Sequence, residues 1–562
     1  MRFFVRSKIS IVLVGIICVG WAGTSPAKAE SVLYVKADAA GAFDGTNWAD
    51  AYTDLQVALA VAELGSDIWV AAGTYRPGGP GDRTATFQLK SGVGIYGGFA
   101  GTEVSRSERS PATNATVLSG DLNGNDLEVP EPRDLASEST RLDNSYHVVT
   151  GSGADETAVL DGFIITGGNA DGTGNSNGGG MINVSGSVPA NPTLVNCTFH
   201  RNSAGRKGGG IYHEAGTPTL FDCVFSENHS NGTSIQEGGG GMYNERGSLT
   251  LRNCRFVGNT TARNGAGLYN RNASPTIIDT AFDRNVVVIV GSTRTGGGLL
   301  NNRSDATIIN CTFTGNSASF GGGIWNWGPP APTIFNCVFS RNEAVLPVNG
   351  AGGGLQNWGG NPSVINCTFS ENTAVAVGGG LGEGDGSRSV VSNCIFWGNR
   401  THNGTNQIGG GATTINYSCV QGGKSGEGNI DVDPGFVSRG HWWDQNGTRD
   451  ASDNIWVEAD FHLKSQAGRW DPSTHGWIQD DITSPCIDAG DPISPIGPEP
   501  FPNGGFVNMG AYGGTAQAGK SYFGRPACGS IVAGDLNGDC RVDHADLEIM
   551  ALHWTDPEPM QP

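Results

Sequence analysis

Eight times between residues 191 and 399 the chain repeats one phrase: an aliphatic residue, a spacer, Asn or Asp, usually Cys, a spacer, Phe, two spacers and Asn. The first copy is Leu194, Asn196, Cys197, Phe199, Asn202, the last is Val391, Asn393, Cys394, Phe396, Asn399, and successive copies start 26 to 31 residues apart. A unit of that length buries an apolar side only by stacking on its neighbours, so the period demands a solenoid.

The columns of the repeat give the geometry of one coil. Leu194, Leu220, Leu251, Ile277, Ile308, Ile334, Val364 and Val391 are always aliphatic and face a core, whereas the next position varies through Val195, Arg252 and Ser392 and faces out. Cys197 and Phe199 also point inward, but strict strand alternation cannot bury both Leu194 and a residue three positions on, so a bend lies between them. Asn196, Asp222, Asn253, Asp279, Asn310, Asn336, Asn366 and Asn393 fill that bend, and Asn and Asp are the non-glycine residues that best tolerate left-handed backbone angles. A further strand follows each glycine run, beginning at Ile211, Met242, Leu268, Leu299, Ile324, Leu355 and Leu381. Three strands per coil predict an all-β, right-handed parallel β-helix, with coils stacked about 4.8 Å apart.

These coils resemble pectate-lyase-like parallel β-helices, and the paired phrases Phe-x-x-Asn and Gly-Gly-Gly-Ile resemble the repeats of polymorphic outer-membrane proteins. The resemblance implies the fold and leaves activity open, since lyases, hydrolases and adhesins share it. Thr53 and Gln56 form the pattern of a capping box for a helix through Glu63, followed by a strand over residues 68–72, and this resembles the cap that closes the first coil of pectin-lyase-like proteins. Phrases such as Asp433-Pro434-Gly435-Phe436 and Met509-Gly510-Ala511-Tyr512 resemble the irregular last coils of large secreted bacterial β-helix proteins and are expected to form a carboxy-terminal cap.

The ends point outside the cytoplasm. Residues 1–29 carry Arg2, Arg6 and Lys8, an apolar run over 9–21, and Ala27-Lys28-Ala29 before Glu30, the pattern of an export signal. No second apolar stretch is long enough to span a bilayer, so a secreted or cell-surface protein without a transmembrane anchor is expected. The expected organisation is a signal at 1–29, an amino-terminal cap and first coils at 30–150, regular repeats at 151–415, irregular coils at 416–520 and a small module at 528–556. A formal charge of -20 excludes nucleic acid, whose phosphates need a basic face. Of twelve cysteines, Cys18 lies in the leader and seven stand in one repeat column, where they form a core ladder. Cys419 with Cys486, and Cys528 with Cys540, are the candidates for bridges.

Two segments carry candidate chemistry. Asp535, Asn537, Asp539, Asp543 and Asp546 place oxygen ligands at positions 1, 3, 5, 9 and 12 of a loop, and Arg541 at position 7 offers its carbonyl, as a calcium-binding EF-hand loop requires. Leu547, Met550, Ala551 and Trp554 follow at helical spacing. The segment resembles one repeat of a dockerin, which implies attachment to a cohesin-like or other surface protein. A dockerin has two such repeats, and Cys540 stands where the loop normally has Gly.

On the glycine-led strands, the register turns His213 inward beside Asn244 and Asn270, and turns Tyr212, Tyr243, Tyr269, Trp325, Trp327 and Trp358 outward. A stripe of exposed aromatic faces suits sugar rings, which stack on apolar surface, and polysaccharide is the expected partner. The same register sets Glu214 beside Glu245 on adjacent coils, about 5 Å apart, the spacing of a retaining glycosidase pair. Arg206 and Lys207 are the alternative, as groups for β-elimination next to a uronate carboxylate. No Asp-Asp, Gly-His-Gly or Arg-Ile-Lys set like that of β-helix polygalacturonases is present. Two functions remain: a polysaccharide lyase or glycoside hydrolase with a calcium-binding tail, and a non-catalytic surface or matrix adhesin.

Overall fold

The computed structural model describes residues 31–288, 294–329, 331–346, 349–411, 413–443, 455–522 and 542–553. The export signal expected at 1–29 lies outside them. The chain winds into sheets of 13, 12, 10 and 11 strands, in which strands pair in parallel with their equivalents one coil away, except for the antiparallel pair Arg400–Thr401 and Gly404–Thr405 at the end of the 10-stranded sheet. One coil reads Thr307–Ile309, Thr312–Thr314, Ser317–Ala318 and Ile324–Trp327. The regular coils therefore have four strands, not the three expected, whereas an early coil such as Gly94–Phe99, Thr116–Ser119 and Val149–Thr150 has three. The extra sheet is built from two-residue strands such as Ser203–Ala204 and Thr260–Thr261, too short to show alternation in the sequence.

Both corners of the repeat are visible in the backbone. Asn196, Asp222, Asn253, Asp279, Asn310, Asn336, Asn366 and Asn393 all sit at φ between 49° and 55°, as the bend requires. A second left-handed residue, such as Arg201 or Arg284, precedes the Asn at the end of each repeat. That Asn is buried and bonded along the stack: Asn316 Nδ2 donates to Asn342 Oδ1 at 2.9 Å and to the Phe282 carbonyl at 2.8 Å, while its Oδ1 accepts from Asn285. Buried amides with every bond made cost little, and any misregister would leave them unpaired. Register is locked in this way.

Inside, Phe256, Phe282, Phe313, Phe339 and Phe369 form a stack with centroids 4.5 to 4.9 Å apart. The column cysteines beside them are fully buried thiols. Burial pushes the Cys337 and Cys367 thiols well up, which keeps these two sulfurs neutral and unreactive. The core is closed at one end by the helix Leu55–Val61, which buries Leu55, Ala58 and Leu59 against Val35, Ile68 and Ile95. Its cap is Asp54, whose carboxylate accepts the Gln56 N–H at 2.8 Å, and not the expected Thr53. Gln56 instead donates its side-chain amide to the carbonyls of Pro77 and Thr86, tying the helix to the next loop.

The carboxy-terminal segment differs from a cap. Phe461, Leu463, Cys486 and Met509 pack on the outward side chains Val338, Ile395 and Trp397. Asn336 donates to the carbonyls of Ala511 and Gly513 at 2.8 and 2.7 Å. The segment thus runs back along the flank of the stack. Cys419 and Cys486 meet inside this packing, but as free thiols instead of the expected bridge. Cys528 and Cys540 lie outside the described residues.

Candidate functional site

The glycine-led strands build the fourth sheet, and their pairing sets two outward columns. One runs Tyr212, Tyr243, Tyr269, Leu300, Trp325, Gln356. The other runs Glu214, Glu245, Arg271, Asn302, Trp327, Trp358. His213, Asn244 and Asn270 face inward and are fully buried, matching the register read from the sequence.

Outward did not mean exposed. Tyr243 and Tyr269 have no accessible surface, and Tyr212 and Trp325 are 5% and 7% exposed. The cause is a loop over residues 231–237 that folds across the face: Tyr243 donates its hydroxyl to the Gln236 carbonyl at 2.7 Å, and Tyr269 meets the Ile235 carbonyl at 3.4 Å. Glu237 anchors the loop, accepting the N–H groups of Thr233 and Ser234 and pairing with Arg206. The expected stripe of six exposed rings is therefore reduced to Trp327 and Trp358, 41% and 42% exposed on adjacent coils.

The two expected carboxylates do come together, within a network of cations. The Tyr212 hydroxyl reaches Glu214 at 2.9 Å and Glu245 at 3.3 Å. Lys207 Nζ lies 2.7 Å from Glu245 and 4.8 Å from the centre of the Tyr243 ring. Arg271 bonds Glu245 directly, Arg246 bonds Glu214, and Arg246 lies 3.6 Å from Glu245. Burial works to raise the Glu245 pKa, yet Lys207 and Arg271 outweigh it and hold the carboxyl below its ordinary value. A group so held is a poor proton donor, which does not fit the acid of a glycosidase pair. Lys207 and Arg206 are likewise engaged with Glu245 and Glu237, not set apart as bases for an elimination.

The feature that sequence reading missed lies at the middle of the face. Leu300 stands where the flanking coils carry Tyr269 and Trp325, and this shorter side chain leaves a cavity of about 420 Å³. Ile235, Leu300, Phe320, Trp325, Trp327 and Trp358 line it. Phe320 meets Trp325 edge-on at 5.3 Å, and Trp325 lies nearly parallel to Trp358 with centroids 6.4 Å apart. Asn264 and Thr295 complete the lining. Only the break in the aromatic column at Leu300 could have signalled this cleft, because Ile235, Asn264 and Phe320 come from turns outside the repeat phrase.

The expected calcium loop is only partly described. The helix His544–His553 begins where the EF-hand pattern places it, and Asp546 accepts the Asp543 N–H at 2.8 Å. Asp535, Asn537, Asp539 and Arg541 lie outside the described residues. Leu547 and Met550 on that helix are exposed. Among the described residues no helix is long and apolar enough to cross a membrane.

A family model agrees with this architecture. The family model described as right-handed beta helix region matches residues 149–299 and 288–428, and one described as disaggregatase related matches 416–490. Among solved structures, the pectate lyase Pel9A is 15% identical at a TM-score of 0.43, covering 85% of this chain and 95% of its own. A rhamnogalacturonan lyase is 12% identical at 0.32, covering 73% and 91%. The A-module of the Azotobacter vinelandii mannuronan C-5 epimerase AlgE4 is 14% identical at 0.30, covering 65% and 91%. No curated protein matches. With coil after coil in register and the matching family model spanning the regular repeats, the chain is a right-handed parallel β-helix.

Proposed function

We propose that this chain is an extracellular polysaccharide-binding protein that holds sugar rings in the aromatic cleft of its fourth sheet. The observation that carries the reading is the pair Trp327 and Trp358, half-exposed one coil apart at the mouth of a 420 Å³ cavity. Indole faces offer apolar stacking area to a sugar ring, and a cavity of this size takes a ring and its substituents. Binding without cleavage is favoured over lyase or hydrolase activity, because Glu245 is tied down by Lys207 and Arg271. The test is affinity electrophoresis of the mature protein against a panel of soluble polysaccharides. At least one polymer is expected to retard the protein, and Trp327→Ala with Trp358→Ala to weaken that binding at least tenfold, roughly the stacking of two rings. Neither reducing ends nor unsaturated products should accumulate. Unchanged retardation of the double variant would sink the reading.

We also propose that the segment from Asp535 to Asp546 binds calcium and serves as an attachment module for a cohesin-like or other surface protein. The support is the spacing of its oxygen ligands and the helix beginning at His544, whose exposed Leu547 and Met550 offer an apolar contact. Calorimetry of the full chain with calcium is expected to show binding that Asp535→Ala with Asp539→Ala abolishes. Equal heats from the two proteins would refute the site.

A further inference from the structure

Between the strands Thr116–Ser119 and Val149–Thr150 the chain leaves the coil in an excursion whose two limbs meet at its base. The outgoing limb wraps around Asp121, whose Oδ1 accepts the N–H groups of Gly124 and Asn125 at 2.7 and 3.1 Å and whose Oδ2 accepts that of Asp126 at 3.2 Å. The returning limb brings in Asp143, which accepts from the Asn123 side-chain amide. Asn125 stands between the two carboxylates at the surface, and its side-chain oxygen faces Asp121 Oδ1 and Asp143 Oδ2, 3.3 Å from each. Three side-chain oxygens converge there with no donor hydrogen between them. More oxygen lies behind. Asn144 is fully buried and turns its amide into the same group, Nδ2 donating to Asp126 Oδ2 at 2.8 Å, yet its Oδ1 has no partner. Asp126 Oδ1 and Asp143 Oδ1 are likewise enclosed and unpaired, and the charges of Asp121 and Asp143 both press on Asp126. Arg141 meets Asp126 at 3.0 Å but neither of the other two carboxylates, and Arg76 donates its Nε to the Asp121 carbonyl at 2.6 Å.

We infer that Asp121, Asn125 and Asp143 hold a calcium ion that clips the two limbs of the excursion together, at a site separate from the tail loop. Calcium takes carboxylate, amide and water oxygens at about 2.3–2.6 Å in a loose geometry. Oxygens set at right angles around such an ion stand about 3.4 Å apart, close to the 3.3 Å found here. Around magnesium, at about 2.0–2.1 Å, they would stand about 2.9 Å apart, so the spacing selects the larger ion. The rival arrangement turns the Asn125 amide over, so that its nitrogen donates to both carboxylates. Bonds of 3.3 Å are long for an amide meeting a charged acceptor, and the turn leaves the oxygens of Asp126, Asp143 and Asn144 as unpaired as before. A cation instead offsets the charge of all three aspartates at once. Asn123, Gly124 and Asn125 are exposed, which gives the ion a way in from solvent.

With two carboxylates and no bidentate glutamate, the site belongs with the calcium sites of extracellular modules, whose dissociation constants run about 0.1–1 mM. An EF-hand loop such as the tail's fills at micromolar calcium, so the two sites are read apart by concentration. The test is hydrogen exchange over residues 120–145 of the full-length mature protein carrying Asp535→Ala with Asp539→Ala, in calcium chloride and in magnesium chloride. At calcium about ten times the dissociation constant, exchange that requires the limbs to part is expected to slow about tenfold, because bound ion suppresses opening by that factor. Magnesium should leave it unchanged. Asp143→Asn, which keeps the shape and removes the charge, should erase the slowing, and Asn125→Ala, at an exposed position, should shift it to higher calcium. Equal exchange with and without calcium overturns the inference, as does slowing that survives Asp143→Asn. Faster exchange of the Asn125→Ala protein without calcium, in a parent that ignores calcium, overturns it in favour of the rotated amide.

Discussion

Gly322→Ala is expected to destabilise the β-helix by at least about 3 kcal/mol. A methyl group at that position would stand 2.5 Å from the Glu343 nitrogen, 2.6 Å from its oxygen and 2.7 Å from the Gly353 oxygen. All three are backbone atoms of the neighbouring coil, so no side chain can swing away. The coils would have to part, breaking the Gly322 N–H bond to Gly352 and the Glu343 N–H bond to Asn316 that hold them together. A thermal melt followed by circular dichroism should show the loss. Gly186→Ala is the control, since a β-carbon there meets nothing within 4 Å. If both variants melt alike, the close packing of glycine against the next coil is not what the glycine runs are for.

Glu245→Ala is expected to cost about 3–5 kcal/mol, the usual effect of removing one member of a buried ionic cluster. The Glu245 side chain is 5% exposed, and its loss strips Lys207 of its carboxylate inside a ring of tyrosines. Glu245→Gln keeps the size and an acceptor for Lys207 and should cost less. The same group predicts a direction with pH. Its folded pKa lies below its ordinary 4.5, so its contribution is complete above that value and is lost as pH falls through the folded one. Urea unfolding of the wild type and both variants at neutral and acidic pH measures all of this. A Glu245→Ala variant as stable as the wild type would reopen a catalytic role, because a carboxylate kept for chemistry can be removed with the fold intact.

The difference between these two predictions reflects what the repeat exposes to a reader. Columns such as Leu194, Asn196, Cys197 and Phe199 recur because each residue meets its own equivalent in the next coil, so translation forces the same choice again and again. Left-handed Asn corners, inward Phe and the register of the glycine-led strands were legible for that reason. The sheet of two-residue strands such as Ser203–Ala204 was not, because strands that short carry no alternation. Thr53 was misread as the helix cap because Asp54 beside it satisfies the same chemistry.

The outward face depended on residues that do not repeat. The side to which Tyr243 and Tyr269 turn was fixed by alternation, but their burial was decided by the loop over 231–237, whose path rests on Glu237 and Arg206. Likewise, the sequence placed Glu214 beside Glu245, while only the folded chain showed Lys207, Arg246 and Arg271 closing around them. The cleft itself arises from a missing volume at Leu300 between two larger rings, bounded by Ile235 and Phe320 from separate turns. By itself, then, the sequence determined the path of the coils, because that path is a sum of identical neighbour contacts. The tertiary structure decided which of the outward residues meet solvent, because that depends on irregular turns reaching across several coils, and no local pattern records their reach.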